Sequence, residues 1–234
     1  HKRPPDALER INATLARMGH PPVETLPEPE AAARKVPLID LFSPGLVRAT
    51  VLLTLAYLAH IMTFYFILKW IPKIVVDMGF PPPEAAGVLV WASIGGATGS
   101  LVLGLLTGKI RLLALTISAM LLSTVLVILF GRGQTDLAAL SMVAAMAGFA
   151  TNAGVVGLYA LMAQSFPTSA RATATGFVIG VGRGGSALAP ALAGFLFAAG
   201  HDLQTVAILM GLGSIIGAAA LFAMRGWSAP AKGQ

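Results

Sequence analysis

Long apolar runs separated by short polar breaks occupy the chain from residue 46 to residue 224. Crossing a hydrocarbon core of about 30 Å takes about 20 helical residues, and six runs meet that length. They fall at 46–71, 85–108, 111–131, 137–164, 173–199 and 203–224. The breaks carry turn chemistry: Pro72, the prolines of 81–83, the stretch 131–136, Pro167, and Gly200 ahead of Asp202. The pattern predicts an all-α membrane protein with six transmembrane helices. Ahead of the first run, Leu8, Ile11, Leu15 and Met18 recur at helical spacing, with Asp6 and Glu9 in the first turn. This predicts a short amphipathic helix on the cytoplasmic face of the membrane. Pro21, Pro22, Pro27, Pro29 and Pro37 then mark an extended linker. The expected division is a cytoplasmic region over 1–45, a membrane body over 46–224 and a cytoplasmic tail over 225–234. A structured linker leading into a membrane body suggests a connector between two halves, with an ordinary N-terminal tail as the alternative.

Composition agrees with that reading. Charged residues make up 11% of the chain and hydrophobic ones 56%, whereas a soluble domain is about a quarter charged. Mean hydropathy is +0.79. With no cysteine, disulfides and thiolate metal sites are excluded. Residues 1–48 hold 13 of the 26 charged side chains (16 Lys and Arg, 10 Asp and Glu). The basic excess mostly flanks apolar runs, so it signals topology rather than nucleic acid. Six spans put both ends on one side. If that side is the cytoplasm, the outside holds only Lys69, Lys73 and Arg132, and Arg183 lies within the bilayer; the remaining basic residues are inside. The chain opens on His1 with neither an initiator methionine nor a signal-peptide pattern, which points to a fragment or processed piece.

Arg183 is the residue that carries most information. A guanidinium at bilayer depth is costly, cannot be deprotonated, and faces a bundle interior or a wet cavity. No carboxylate lies within any apolar run, so its partner is either elsewhere in a larger protein or a ligand. His60, Asn152 and Arg183 each sit roughly 15–22 Å from the start of their spans, near the midplane. Tyr57 lies three residues before His60, and Tyr159 seven after Asn152, each on a shared helical face. Aromatic side chains around one arginine suit a flat anionic ring compound, the fork holding the carboxylate. His60 is open to two readings: a buried neutral imidazole bonded to a neighbouring helix, or a ligand or proton carrier. Asn152 is either interhelical glue or a polar contact. Small residues at four-residue spacing, as in Gly96, Ser100, Gly104 and Gly108, in Gly176, Gly180 and Gly184, and in Gly213 and Gly217, predict close helix packing. Gly182, Gly185 and Pro190 predict a distorted fifth span. No phosphate-binding loop, metal-spaced set, cofactor motif or nucleophile elbow is present, which argues against an enzyme.

From Pro167, Thr168 and Arg171-Ala172-Thr173 through Gly180, Gly182-Arg183 and Pro190, the chain resembles the tenth loop and eleventh helix of a major facilitator superfamily transporter. More narrowly, it resembles the aromatic acid:proton symporter family. Lys69, Trp70, Ile71 and Pro72, with the later Gly79, are similar to that family's seventh-helix exit. Gly104, Gly108, Lys109 and Arg111 resemble a second copy of the superfamily's cytoplasmic loop motif, without its acidic residue. Gln164 stands where many relatives carry glutamate, and Ala174 where glycine is frequent.

The resemblance covers nearly the whole chain as the C-terminal six-helix half of a twelve-helix bundle. It implies alternating access, with protons and a small organic anion as partners and the coupling acid on the first helix of the other half. It also implies residence in the cytoplasmic (inner) membrane. The expected substrate contacts are Arg183, Asn152, His60, Tyr57 and Tyr159, and the expected loop and gating residues Pro167, Arg171, Lys109 and Arg111. The alternatives are a drug or metabolite exporter of the same superfamily and a non-transporting six-helix membrane subunit.

Overall fold

The computed structural model describes residues 6–25, 37–134 and 136–226. Residues 1–36 form one compact unit and 37–234 another. In the first, α1 (Ala7–Arg17) is amphipathic and none of its residues is buried. An Asp6–Arg10 ion pair steadies its first turn at 2.7 Å. Asn12 folds the following chain back through two bonds: its amide donates to the Val23 carbonyl at 3.0 Å, and the Val23 N–H donates to its oxygen at 2.9 Å. Residues 26–36 of the expected linker and 227–234 of the expected tail lie outside the described residues.

The second unit begins with a 3-10 turn (Leu38–Phe42), followed by α2 (Val47–Asp77), α3 (Pro82–Leu106), α4 (Leu112–Gly131) and α5 (Leu137–Ser165). Then come α6 (Thr168–Gly182), α7 (Gly184–Ala198) and α8 (Leu203–Ala223). With α6 and α7 counted together, six helices among the described residues are long and apolar enough to span a membrane. The chain is thus a multi-pass membrane protein.

The far end of the first span differs from the sequence reading, and the distortion expected in the fifth span is seen as a break. α2 runs past Pro72 to Asp77. A proline deletes one backbone bond, to the carbonyl four residues earlier, and a long packed helix tolerates that loss. The fifth span is interrupted at Arg183, with Pro190 inside a continuous α7. The Arg183 N–H still reaches the Ile179 carbonyl at 2.8 Å, while Ser186 N–H bonds the Arg183 carbonyl at 2.9 Å in a tighter turn. Asp136 and Asp202 cap α5 and α8 by accepting from Ala139 and Thr205 N–H. The bond from Thr205 holds the exposed Asp202 carboxyl below its ordinary value.

α2 runs through the middle of the bundle, touching α3, α5, α6, α7 and α8. Its C-terminal half shares a core of Phe66, Ile71, Phe130, Leu140 and Met210 with α4, α5 and α8. Arg48 donates to the Ala223 carbonyl at 2.5 Å, closing the end of α8 onto the start of α2. Thr63 donates to the Met210 carbonyl at 2.6 Å and ties the same two helices further along.

α3 and α5 make the most extensive contact. Glycine permits it: a Cβ on Gly95, Gly99 or Gly148 would lie 1.9, 2.2 or 2.0 Å from a carbonyl oxygen of the facing helix. The small-residue rows expected from spacing divide. Gly213 and Gly217 press on the Ala59 and Ala56 carbonyls of α2, but Gly104, Gly176, Gly180 and Gly184 face open space. Four-residue spacing marks a helical face without saying which neighbour covers it. Gly148→Ala should therefore cost about 1–3 kcal/mol of stability, whereas Gly180→Ala should not lower it. Thermal unfolding of the two variants in detergent checks this; equal melting temperatures would remove the close-contact argument.

Candidate functional site

α2 and α5 run antiparallel, and each carries two chemistry-bearing positions seven residues apart on one face: Tyr57 and Phe64, and Asn152 and Tyr159. The pairs match across the interface. Tyr57 meets Tyr159, their hydroxyls 2.9 Å apart and ring centroids 5.7 Å apart. Phe64 and Asn152 line one cleft further along. The strip so formed is about 10 Å long, from about 1.5 Å of rise per residue.

Arg183 completes the tyrosine end. Its guanidinium lies alongside both phenol hydroxyls. Gly182 explains the approach: a Cβ there would stand 2.2 Å from the Tyr57 ring, so only glycine lets that ring rest on the backbone next to Arg183. Tyr57 is buried, Tyr159 is 36% exposed and Arg183 is exposed. Among the described residues the ion pairs are Asp6–Arg10 and Lys73–Asp77, and neither involves Arg183. Arg183 and Asn152 each lie about 22 Å along their spans from the same end of the bundle, that of Ala198 and Leu137. The structure thus brings Arg183, Tyr57 and Tyr159 into one cluster and sets Asn152 on the adjoining stretch of the strip.

His60 does not join them. It is fully buried, with Nδ1 2.8 Å from the Ser214 hydroxyl on α8 and Nε2 2.9 Å from the Thr151 carbonyl on α5. A carbonyl only accepts, so Nε2 carries a proton, and in the neutral ring Nδ1 accepts from Ser214. Gly154 makes room, since a Cβ there would lie 2.4 Å from Nε2. Of the two readings open from sequence, the structure favours the interhelical one. His60 fixes α5 against α2 at the residue next to Asn152.

The cleft by Asn152 measures about 160 Å³ and is lined by Phe64, Leu68, Ala92, Ser93 and Thr151. That is about the volume that admits a benzene ring. Phe64 and Ser93 had not been singled out as contacts. A phenylalanine in an apolar run is silent by itself, but its heptad spacing from Tyr57 was available as a signal.

The loop residues lie elsewhere. Pro167 precedes α6, and its carbonyl accepts the Ala170 and Arg171 N–H groups. Arg171 Nε donates to the Phe166 carbonyl at 3.3 Å, turning the side chain back onto the end of α5. Lys109 and Arg111 are exposed in the turn between α3 and α4, where Arg111 occupies the N-cap position of α4.

Six spans around a mid-depth polar strip that ends on an exposed arginine define a polytopic helical membrane protein with one chemically distinct face. The chain belongs to the Major Facilitator Superfamily, whose model matches residues 53–233; this is a family of transporters and not of enzymes. It is 33% identical over 187 residues to the 3-(3-hydroxy-phenyl)propionate transporter of Escherichia coli, covering 80% of this chain and 46% of that protein. It is 27% identical to the gallate transporter of Pseudomonas putida, over 92% of this chain and 48% of the relative. Against the 4-hydroxybenzoate transporter PcaK of the same species the identity is 24%, over 78% and 41%. The chain spans about half the length of these curated relatives.

Proposed function

We propose that this chain is the C-terminal six-helix half of a proton-coupled importer for an aromatic or related small organic acid. Arg183 binds the carboxylate, Tyr57 and Tyr159 hydrogen-bond beside it, and the ring lies along the strip towards Asn152. The observation that carries the reading is the Arg183 guanidinium, exposed at mid-depth beside two phenol hydroxyls. Such a group is a ready receptor for a planar anion. The names of the relatives agree with a substrate of that kind.

A 160 Å³ cleft is smaller than the ~300–1,000 Å³ typical of a ligand site. It therefore serves as one wall of a cavity that the other six-helix half closes, and alternating access arises from rocking of the two halves. Residues 1–45 form the cytoplasmic connector, both ends of the chain are cytoplasmic, and the membrane is the cytoplasmic (inner) membrane. Pro167 and Arg171, with Lys109 and Arg111, shape the cytoplasmic turns that separate as the halves rock. The proton-coupling acid lies in the other half.

The test is uptake of labelled 4-hydroxybenzoate by the intact transporter in proteoliposomes. Accumulation driven by an inward proton gradient and collapsed by a protonophore supports the proposal. Accumulation indifferent to the gradient removes proton coupling, and transport seen only out of the loaded lumen makes it an exporter. Tyr159→Phe should weaken substrate affinity about five- to tenfold, the effect of one hydrogen bond to a charged or polar partner. Unchanged affinity at normal expression would take Tyr159 out of the site.

A further inference from the structure

We infer that the flank of the bundle turned away from the strip binds one anionic phospholipid, with an acyl chain in a groove between α3 and α4 and its phosphate on Lys109 and Arg111. Only a short turn joins α3 to α4, yet the two helices hardly touch; each packs instead on α5. A groove floored by α5 is left between them. One stretch of it, about 390 Å³, is lined by Gly95 and Thr98, and the next, about 160 Å³, by Val102 and Leu106. Leu122 and Phe149 line both stretches, so the groove is continuous. At about 100° per residue, Thr98 and Val102 stand about 140–180° round α3 from Ser93, so the groove and the strip open on different sides.

Length, bore and lining suit a lipid tail. From Gly95 to Leu106 the groove follows α3 for about 16 Å, half of a hydrocarbon core of about 30 Å and so the depth of one leaflet. A volume of about 160 Å³ over the stretch from Gly99 to Leu106 fits a chain of methylenes. A further helix, about 10 Å across, displaces far more. The lining is apolar apart from the hydroxyls of Thr98 and Ser118, and Thr98 donates its proton to the Gly95 carbonyl at 2.8 Å.

The mouth of the groove carries the matching charge. It opens at the α3–α4 turn, where Lys109 and Arg111 are both exposed. No Asp or Glu occurs between Glu84 and Asp136, and neither cation is in an ion pair among the described residues. α4 starts at the same turn with no capping side chain and no acid in its first turn, which adds its positive end. Basic side chains at the mouth of a cleft between membrane helices hold anionic headgroups, and a phosphate takes an arginine through paired bonds. A zwitterionic lipid would bring its own cation up to two uncompensated ones, so the site selects lipids of net negative charge. Nothing in this site depends on the substrate proposed above.

The experiment titrates the intact transporter in detergent with dioleoyl phosphatidylglycerol or dioleoyl phosphatidylcholine, read by native mass spectrometry. The native protein should bind its first phosphatidylglycerol about tenfold more tightly than phosphatidylcholine. Phosphatidylglycerol with a diazirine on its acyl chain should crosslink to α3 or α4, at the peptides holding Val102 or Leu122. Glycerol 1-phosphate should not displace it. Lys109→Gln combined with Arg111→Gln should bring the two lipids within about threefold of each other. Ser118→Phe, which fills the groove from an exposed position and keeps both cations, should weaken the first phosphatidylglycerol about tenfold. Equal affinity of the native protein for the two lipids overturns the inference, and so does crosslinking that leaves α3 and α4 unlabelled. Displacement by glycerol 1-phosphate overturns it too, making the turn a site for soluble phosphate. These three readings use the native protein, so they decide the matter even where a variant fails to fold.

Discussion

Replacing Arg183 with lysine should lower aromatic-acid uptake by the intact transporter on the order of 10- to 100-fold, with surface expression unchanged. The two halves of that expectation have separate causes. Lysine keeps the charge but has no planar fork, so a carboxylate loses its paired bonds and gains a mobile, strongly hydrated ammonium instead. Expression should hold because the guanidinium is exposed on the bundle face and makes no ion pair among the described residues. The kinetic pattern matters as well. A direct carboxylate ligand should show the loss chiefly as a raised KM, and Arg183→Lys with native affinity and native expression would end the assignment.

His60→Ala should do the opposite, lowering stability rather than selectivity. The imidazole has no exposed atom and joins three helices through the Thr151 carbonyl and the Ser214 hydroxyl. Ser214 in turn lies 3.3 Å from Ser123 on α4, so the network reaches a fourth. Truncation leaves those groups unpaired and opens a cavity that Gly154 cannot fill. Core truncations cost about 2–5 kcal/mol, and interhelical bonds in membranes average only about 0.6 kcal/mol; a loss of about 2–4 kcal/mol is expected. At about 2–4 °C per kcal/mol for a chain of this size, the melting temperature in detergent should fall by roughly 5–15 °C. Substrate affinity of the folded fraction should change far less. Weakened affinity with an unaltered melting temperature would return His60 to the ligand.

Six spans were legible because a 20-residue apolar run has few other uses and its breaks carry proline, glycine and polar residues. Arg183 stood out for a related reason: a guanidinium inside an apolar run needs either a partner elsewhere in a larger protein or a ligand. The sorting of Tyr57 from His60 was not legible. Three residues apart they share a broad helical face, and which of them turns to a neighbouring helix depends on where α5 and α8 pass. Gly154 and Ser214, which decide it, lie far along the chain. The open row of Gly176, Gly180 and Gly184 shows the same limit, because spacing reports a face and packing reports its occupant. Asp136 and Asp202, which in sequence mark only breaks between apolar runs, are helix caps whose role depends on N–H groups three residues on.

The ties between α2 and α8 also bear on how the protein is made. Arg48 bonds Ala223, His60 bonds Ser214, and Thr63 bonds Met210, so three polar groups of α2 each have a partner on α8. Ribosomes deliver these helices in order, and the first therefore waits for the sixth. A chain released before α8 is synthesised leaves a histidine at mid-bilayer depth without its serine and an arginine without the carbonyl it clasps. Arrival of α8 is thus registered inside the membrane, by hydrogen bonds that close only once that helix is in place.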